Sequence, residues 1–126
     1  MNSEELRFTK EHEWAKVEGD IVTIGITDYA QEQQGEITFV ELPAVNRQVV
    51  QKDEIGTVES TKAASDIFSP VTGMVTEVNS EIKTKPEIIN EDCYGQGWLC
   101  KIRITDKASL KNLLDATQYE EYLKGL

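Results

Sequence analysis

From Glu13 to Ile104 most apolar residues fall in short runs, each closed by glycine, proline or a polar turn. That punctuation limits the chain to a mainly β architecture of many small strands. Glu13–Glu18 and Ile21–Ile26 flank Gly19-Asp20, a two-residue hairpin loop of the glycine-first kind. Residues 36–42 are rich in β-branched and aromatic side chains and stop at Pro43. Val49-Val50 is a short apolar step before a turn at Lys52-Asp53. Glu54–Ser60 and residues 64–69 form two more strands, the second ended by Pro70. Residues 73–78 and 98–104 complete the β set, with Trp98, Cys100, Ile102 and Ile104 alternating onto one face. A faint internal echo relates Gly19-Asp20-Ile21-Val22-Thr23-Ile24 to Gly73-Met74-Val75-Thr76-Glu77-Val78, with the Val-Thr pair offset by one.

Helical signals are few. Thr27 reads as an N-cap, Asp28 as the acid of a first turn and Gly35 as the stop. Pro86-Glu87-Ile88-Ile89 is one helical turn with proline at its first position. After Ile104 the period changes. Leu110, Leu113 and Leu114 follow a Ser109 cap, and Tyr119, Tyr122 and Leu123 repeat the spacing after Thr117. The expectation is a single domain over residues 1–126, with a β core over about 6–105 and two C-terminal helices over about 109–124, packed on the sheet. At 126 residues with 39% apolar content, the chain can bury a core without staples.

The inventory is poor for an enzyme. The sequence holds one histidine, His12, and two cysteines, Cys93 and Cys100, seven apart with no CxxC. Neither a nucleophile elbow nor a phosphate-cradling glycine loop occurs. Carboxylate pairs are too common in an acidic chain to signal acid/base catalysis. The pattern of residues 98–104 makes Cys100 a buried small hydrophobe. Cys93 lies in a glycine-rich region where it is free to be exposed, with no basic neighbour to activate it.

The formal charge is −10, and residues 1–60 carry 13 acidic against 5 basic side chains. Such acidity argues against nucleic acid and against an anionic membrane surface. Met1-Asn2-Ser3-Glu4-Glu5 has neither the basic flank nor the apolar stretch of a signal peptide, and the expected location is a bacterial-type cytoplasm, or the mitochondrial matrix for a mature organelle protein.

One segment departs from turn economy. In Glu59-Ser60-Thr61-Lys62-Ala63-Ala64-Ser65-Asp66 two strand-like runs meet with almost nothing between them, yet the Asn-Gly or Gly-X of a tight hairpin is missing. A lysine at such a tip holds its amine in water on a rigid root, with small residues around it.

Glu59-Ser60-Thr61-Lys62-Ala63 with Ser65-Asp66 and Ser69-Pro70-x-x-Gly73 resembles the lipoylation motif of the glycine cleavage system H protein family. His12-Glu13-Trp14, Gly25-Ile26-Thr27-Asp28-x-Ala30-Gln31, Phe39-Val40-Glu41-Leu42-Pro43, Asn90-Glu91-Asp92 and Tyr94-Gly95-x-Gly97-Trp98 follow in the family's order. Thr61 stands where the family usually has Val, Gln34 where it has an apolar residue, Glu36 where Asp is common, Asn46 where Gly is common and Cys93 where Pro is common.

The resemblance implies a lipoyl/biotinyl-type barrel-sandwich hybrid with lipoate in amide linkage to Lys62. It implies Glu59, Ser60 and Ala63 as the features a ligase reads, and Glu13, Gln33 and Asp66 as the cleft for the resting arm. It further implies a carrier that performs no chemical step itself. The arm would take an aminomethyl group from the pyridoxal-dependent glycine decarboxylase (P protein) to the folate-dependent aminomethyltransferase (T protein). Dihydrolipoyl dehydrogenase (L protein) would then reoxidise it, and a lipoate ligase or lipoyl/octanoyl transferase would load it. Two other readings use the same fold: relay of lipoate to other acceptors, and biotin carriage. The methionines that normally flank a biotinyl lysine are absent beside Lys62.

Overall fold

The computed structural model describes residues 6–126, so the leader reading of Met1-Asn2-Ser3-Glu4-Glu5 lies outside it. Gly19 takes a φ of 65°, which lets β2 (Glu13–Glu18) fold straight back into β3 (Ile21–Ile26) with Glu18 opposite Ile21. On the far side of β3 lies β9 (Cys100–Asp106), and beyond it β8 (Thr72–Val78) and β5 (Gln48–Val49). A strand not expected from the sequence, β1 (Leu6–Phe8), pairs with β2 and completes an antiparallel six-stranded sheet. The echoed segments fall on either side of β9, where Val22 and Val75 both oppose Ile102.

The second sheet has three strands, in the order β4 (Ile37–Glu41), β6 (Glu54–Ser60) and β7 (Ala64–Phe68). Its inward Ile37, Val40, Val58 and Ile67 meet Val22, Ile24, Val75 and Ile102 of the larger sheet in one buried cluster. Area removed from water there is the main stabilising contribution. The expected mainly β sandwich with short helices is what forms.

Helix α1 (Asp28–Gln34) starts and stops where the sequence placed it. The Thr27 Oγ1 accepts from the Ala30 amide at 3.2 Å, and Gly35 closes the helix at φ 80°. Elsewhere boundaries shift. An unexpected single turn, α2 (Glu81–Thr84), buries Ile82, while α3 (Ile88–Glu91) begins after Glu87, so Pro86 precedes the helix rather than leading it. Strand β9 starts at Cys100, and Trp98 and Leu99 lie before it, Leu99 buried out of phase.

The first C-terminal helix is a 3-10 segment, Lys107–Asn112, capped by Asp106 rather than Ser109. Ser109 is buried within it, its hydroxyl donating to the Asp106 carbonyl. Leu113 and Leu114 are not helical: Leu114 exchanges two 2.8 Å backbone hydrogen bonds with Phe8. Their apolar spacing is satisfied by packing, not by a helix period. Helix α4 (Ala116–Lys124) starts from Asp115, which forms a capping box with Gln118, two residues ahead of Thr117. It lays Tyr119 flat on Phe8, centroids 4.6 Å apart, in a second cluster with Leu6 and Trp14.

Candidate functional site

The β6–β7 hairpin projects Lys62 from the smaller sheet. Ladder pairing runs to Glu59 opposite Ala64, and the Ser60 amide donates to the Ala63 carbonyl at 2.9 Å. Only Thr61 and Lys62 lie between. The absent Asn-Gly has a local substitute: the Ser60 Oγ accepts from the Lys62 amide at 3.1 Å and the Ala63 amide at 3.3 Å. A hydroxyl thus stabilises the turn while Thr61, Lys62 and Ala63 keep negative φ. Lys62 is exposed, and among the described residues its amine makes no ion pair.

The lysine stem is not adrift. It lies over Gly35, where an added Cβ would come within 3.1 Å of the Lys62 Cδ. Asn90 of α3 fixes that glycine from behind, donating to the Gly35 carbonyl at 2.9 Å while its Oδ1 accepts from the Ile37 amide at 2.9 Å. The C-terminus of α1 is therefore a glycine floor beneath the lysine.

A cleft of about 210 Å³ adjoins the tip, lined by His12, Tyr29, Gln33 and Asp66 among others. Two of the three expected cleft residues, Gln33 and Asp66, meet there. Glu13 does not line it; it borders a separate cavity of about 340 Å³ with Lys52 and Phe68. Glu11 lines both cavities and had no signal in the sequence that set it apart from other surface acids.

Glu13 is 1% exposed. Its Oε2 accepts from the Phe68 amide at 3.0 Å and its Oε1 from the Thr9 hydroxyl at 2.7 Å. Phe68 ends the edge strand β7, so a carboxylate from the larger sheet satisfies an amide that has no neighbouring strand. Burial pushes the Glu13 carboxyl up to about 7 against those two hydrogen bonds, which favour the charged form.

Asp66 sits on the outer face of the small sheet, in register with Thr57 and Glu41. A bulge between Glu54 and Gly56 puts Glu54 opposite Phe68 on that same face. The Asp66 charge and a hydrogen bond to it raise the Glu54 carboxyl above the ordinary range. Phe39, 51% exposed, stands beside Glu59 on this face.

His12 of the cleft wall is tied back to the body of the protein: its Nδ1 and the Thr27 Oγ1 each lie 2.8 Å from the Tyr119 hydroxyl. Burial lowers the His12 pKa, which favours a neutral ring. Cys93 is buried, not exposed, and burial raises its thiol to about 11. The Trp14 indole, donating to the Cys93 carbonyl at 2.9 Å, holds that loop down. Cys100 is fully buried as expected. No group of three or more metal-binding side chains occurs among the described residues, and no helix there is long and apolar enough to cross a membrane.

The family model described as glycine cleavage H-protein matches residues 6–126. The chain belongs to this family. It is 50% identical over 122 residues to the glycine cleavage system H protein of Parvibaculum lavamentivorans, covering 97% of this chain and 98% of that one. The H protein of Staphylococcus carnosus is 48% identical over 120 residues, 95% of each chain. A crystal structure of a glycine cleavage system H protein from Mycobacterium marinum superposes with a TM-score of 0.88 at 36% identity, covering 98% of both chains. The exposed lysine and the glycine floor meet at one hairpin.

Proposed function

We propose that the chain is the lipoyl carrier of a glycine cleavage system, with lipoate in amide linkage to Lys62, working as one carrier domain. The observation that carries this reading is Lys62 itself: exposed, with no ion pair among the described residues, at the tip of a rigid two-residue hairpin, its stem resting on Gly35. The glycine floor fits a long acylated side chain, because it leaves the stem room to lie back or swing out. Attached there, lipoate supplies a dithiolane able to take up the one-carbon amine unit of glycine and to be reoxidised afterwards.

The chain's own residues anchor, orient and shield. The hairpin gives the root a fixed position while the aliphatic stem remains mobile. Glu59, Ser60 and Ala63 shape the tip that a lipoate ligase or lipoyl/octanoyl transferase reads. Asp66 and Glu11 border the adjacent cleft with Gln33 and supply negative charge opposite a carried amine. Glu13 is engaged with Phe68 and Thr9, so its contribution is to hold β7 in place beside that cleft. In this reading the chemical steps belong to partners: the pyridoxal-dependent decarboxylase, the folate-dependent aminomethyltransferase and the flavin-dependent dehydrogenase. All would share the chain's compartment, a cytoplasm or a mitochondrial matrix. Acylation of Lys62 removes a cation from a chain of formal charge −10, leaving the tip purely acidic for basic partner surfaces.

Intact mass after incubation with a lipoate ligase tests the reading. The wild type should gain one lipoyl group and the Lys62→Arg variant none. A Lys62→Arg variant that still sustains reconstituted glycine cleavage overturns it.

A further inference from the structure

Gln34, the last residue of α1, is 6% exposed and lies directly behind the hairpin tip. Its Nε2 donates to the Ala63 carbonyl at 2.6 Å and lies 3.2 Å from the Val58 carbonyl and 3.3 Å from the Ser60 Oγ. Its Oε1 accepts from the Ser65 hydroxyl at 2.8 Å. The contact is reciprocal, since the Ser60 hydroxyl donates to the Gln34 backbone carbonyl at 2.6 Å. An amide nitrogen has two protons for three acceptors, so the short Ala63 bond is kept and the other two share the second proton.

One side chain therefore ties β6, the loop and β7 to a helix end. The turn needs such support. A two-residue loop without positive φ twists against its flanking strands, and neither Thr61 nor Lys62 supplies the missing preference. What the turn sequence lacks, the Gln34 carboxamide and the Ser60 hydroxyl provide from outside.

We propose that Gln34 is a positioning residue, a latch that holds Thr61-Lys62-Ala63 in one conformation for the enzyme that modifies Lys62. The second half of this statement rests on the lipoyl-carrier reading above. A tip already ordered loses less conformational freedom when a modifying enzyme binds it. The latch ends at the backbone, and the reacting Nζ lies four methylenes beyond it. Its loss should therefore weaken binding without slowing the chemistry, raising KM and leaving kcat alone.

Two variants of the full chain test this. Gln34→Met keeps length and apolar packing and removes every polar contact. Gln34→Glu loses the amide donor, but its protonated form can again donate to the Ala63 carbonyl. In unmodified protein, the Ser60 amide of Gln34→Met should lose about tenfold in exchange protection while the Ile102 amide of the core keeps its own. In Gln34→Glu, Ser60 protection should be near wild type at low pH and fall as the introduced carboxyl ionises. With lipoate, ATP and a lipoate ligase, KM for Gln34→Met should rise about tenfold at unchanged kcat. Unchanged Ser60 protection in Gln34→Met, or a loss shared equally by Ile102, overturns the latch, as does pH-independent protection in Gln34→Glu. A fall in kcat at constant KM overturns its role in recognition. Failure of the wild type to be modified at Lys62 counts against the carrier reading, and with it the recognition role, while the exchange measurements still decide the latch.

Discussion

Replacing Glu13 by Gln should stabilise the protein, and more so as pH rises. The buried carboxyl titrates at about 7 in the folded state against an ordinary value of 4.5. A group whose folded pKa is raised in this way costs nothing below pH 4.5, where both states are protonated. Its cost grows as pH rises, because the unfolded chain ionises freely while the folded one resists, and it is complete above about 7. The shift of roughly 2.5 units corresponds to a penalty of about 3 kcal/mol at pH 8, and to about 1 kcal/mol at pH 5. A glutamine removes the charge and keeps the contacts: its Oε1 accepts from the Phe68 amide, and its Nε2 donates to the Thr9 Oγ1 in place of the present bond. Urea unfolding of both proteins at pH 5 and pH 8 isolates the effect, because the other acidic residues act equally in the two chains. The variant's advantage should grow by about 2 kcal/mol between the two pH values, and its Tm advantage at pH 8 should be on the order of 10 °C. An advantage that does not change with pH would refute the argument that burial, rather than a fixed steric fit, sets the state of Glu13.

Three further outcomes are expected. Asp66→Asn should bring the Glu54 carboxyl down towards its ordinary range, read by NMR-monitored titration of the Glu54 side chain, since Asp66 is the main cause of its elevation. Gly35→Ala should cost about 1–3 kcal/mol in denaturant unfolding, because φ 80° with ψ −157° is a glycine conformation, and its methyl group, meeting the Lys62 stem, should also slow modification of that lysine. Raising salt from about 50 to 500 mM should raise KM for the carrier in each partner reaction with little change in kcat; salt-independent KM values would reduce the acidic surface to a solubilising one.

Local chemistry made much of this protein legible from its sequence. Gly19-Asp20 specifies its own hairpin because Gly19 alone can take the required φ. Thr27 and Gly35 delimit α1 because capping is settled within one turn of chain. Period-two alternation places Cys100, Ile102 and Ile104 in the core, while Lys62 is singled out by the resemblance of Glu59-Ser60-Thr61-Lys62-Ala63 to the family's motif rather than by its turn residues alone. Ser109, Leu113 and Leu114 carried a helical pattern, but the edge of β1 offered Leu114 a backbone partner that no local signal announces. The glycine-rich surroundings of Cys93 leave it free to be exposed, but the Trp14 indole, distant in sequence, holds its loop down and the residue is buried.

The site shows the same division. Sequence determined which residue is presented; tertiary structure decided what surrounds it. Glu13 and Asp66 look alike as acids near a motif, yet one is buried against the Phe68 amide at the end of β7 while the other stays exposed and borders the cleft. In the sequence Gln34 is a departure, a polar residue before Gly35 where the family has an apolar one, with no sign of what it contacts. Folding brings the C-terminus of α1 against the hairpin, and a buried carboxamide must then find partners or be destabilising. It finds them in the backbone around Lys62.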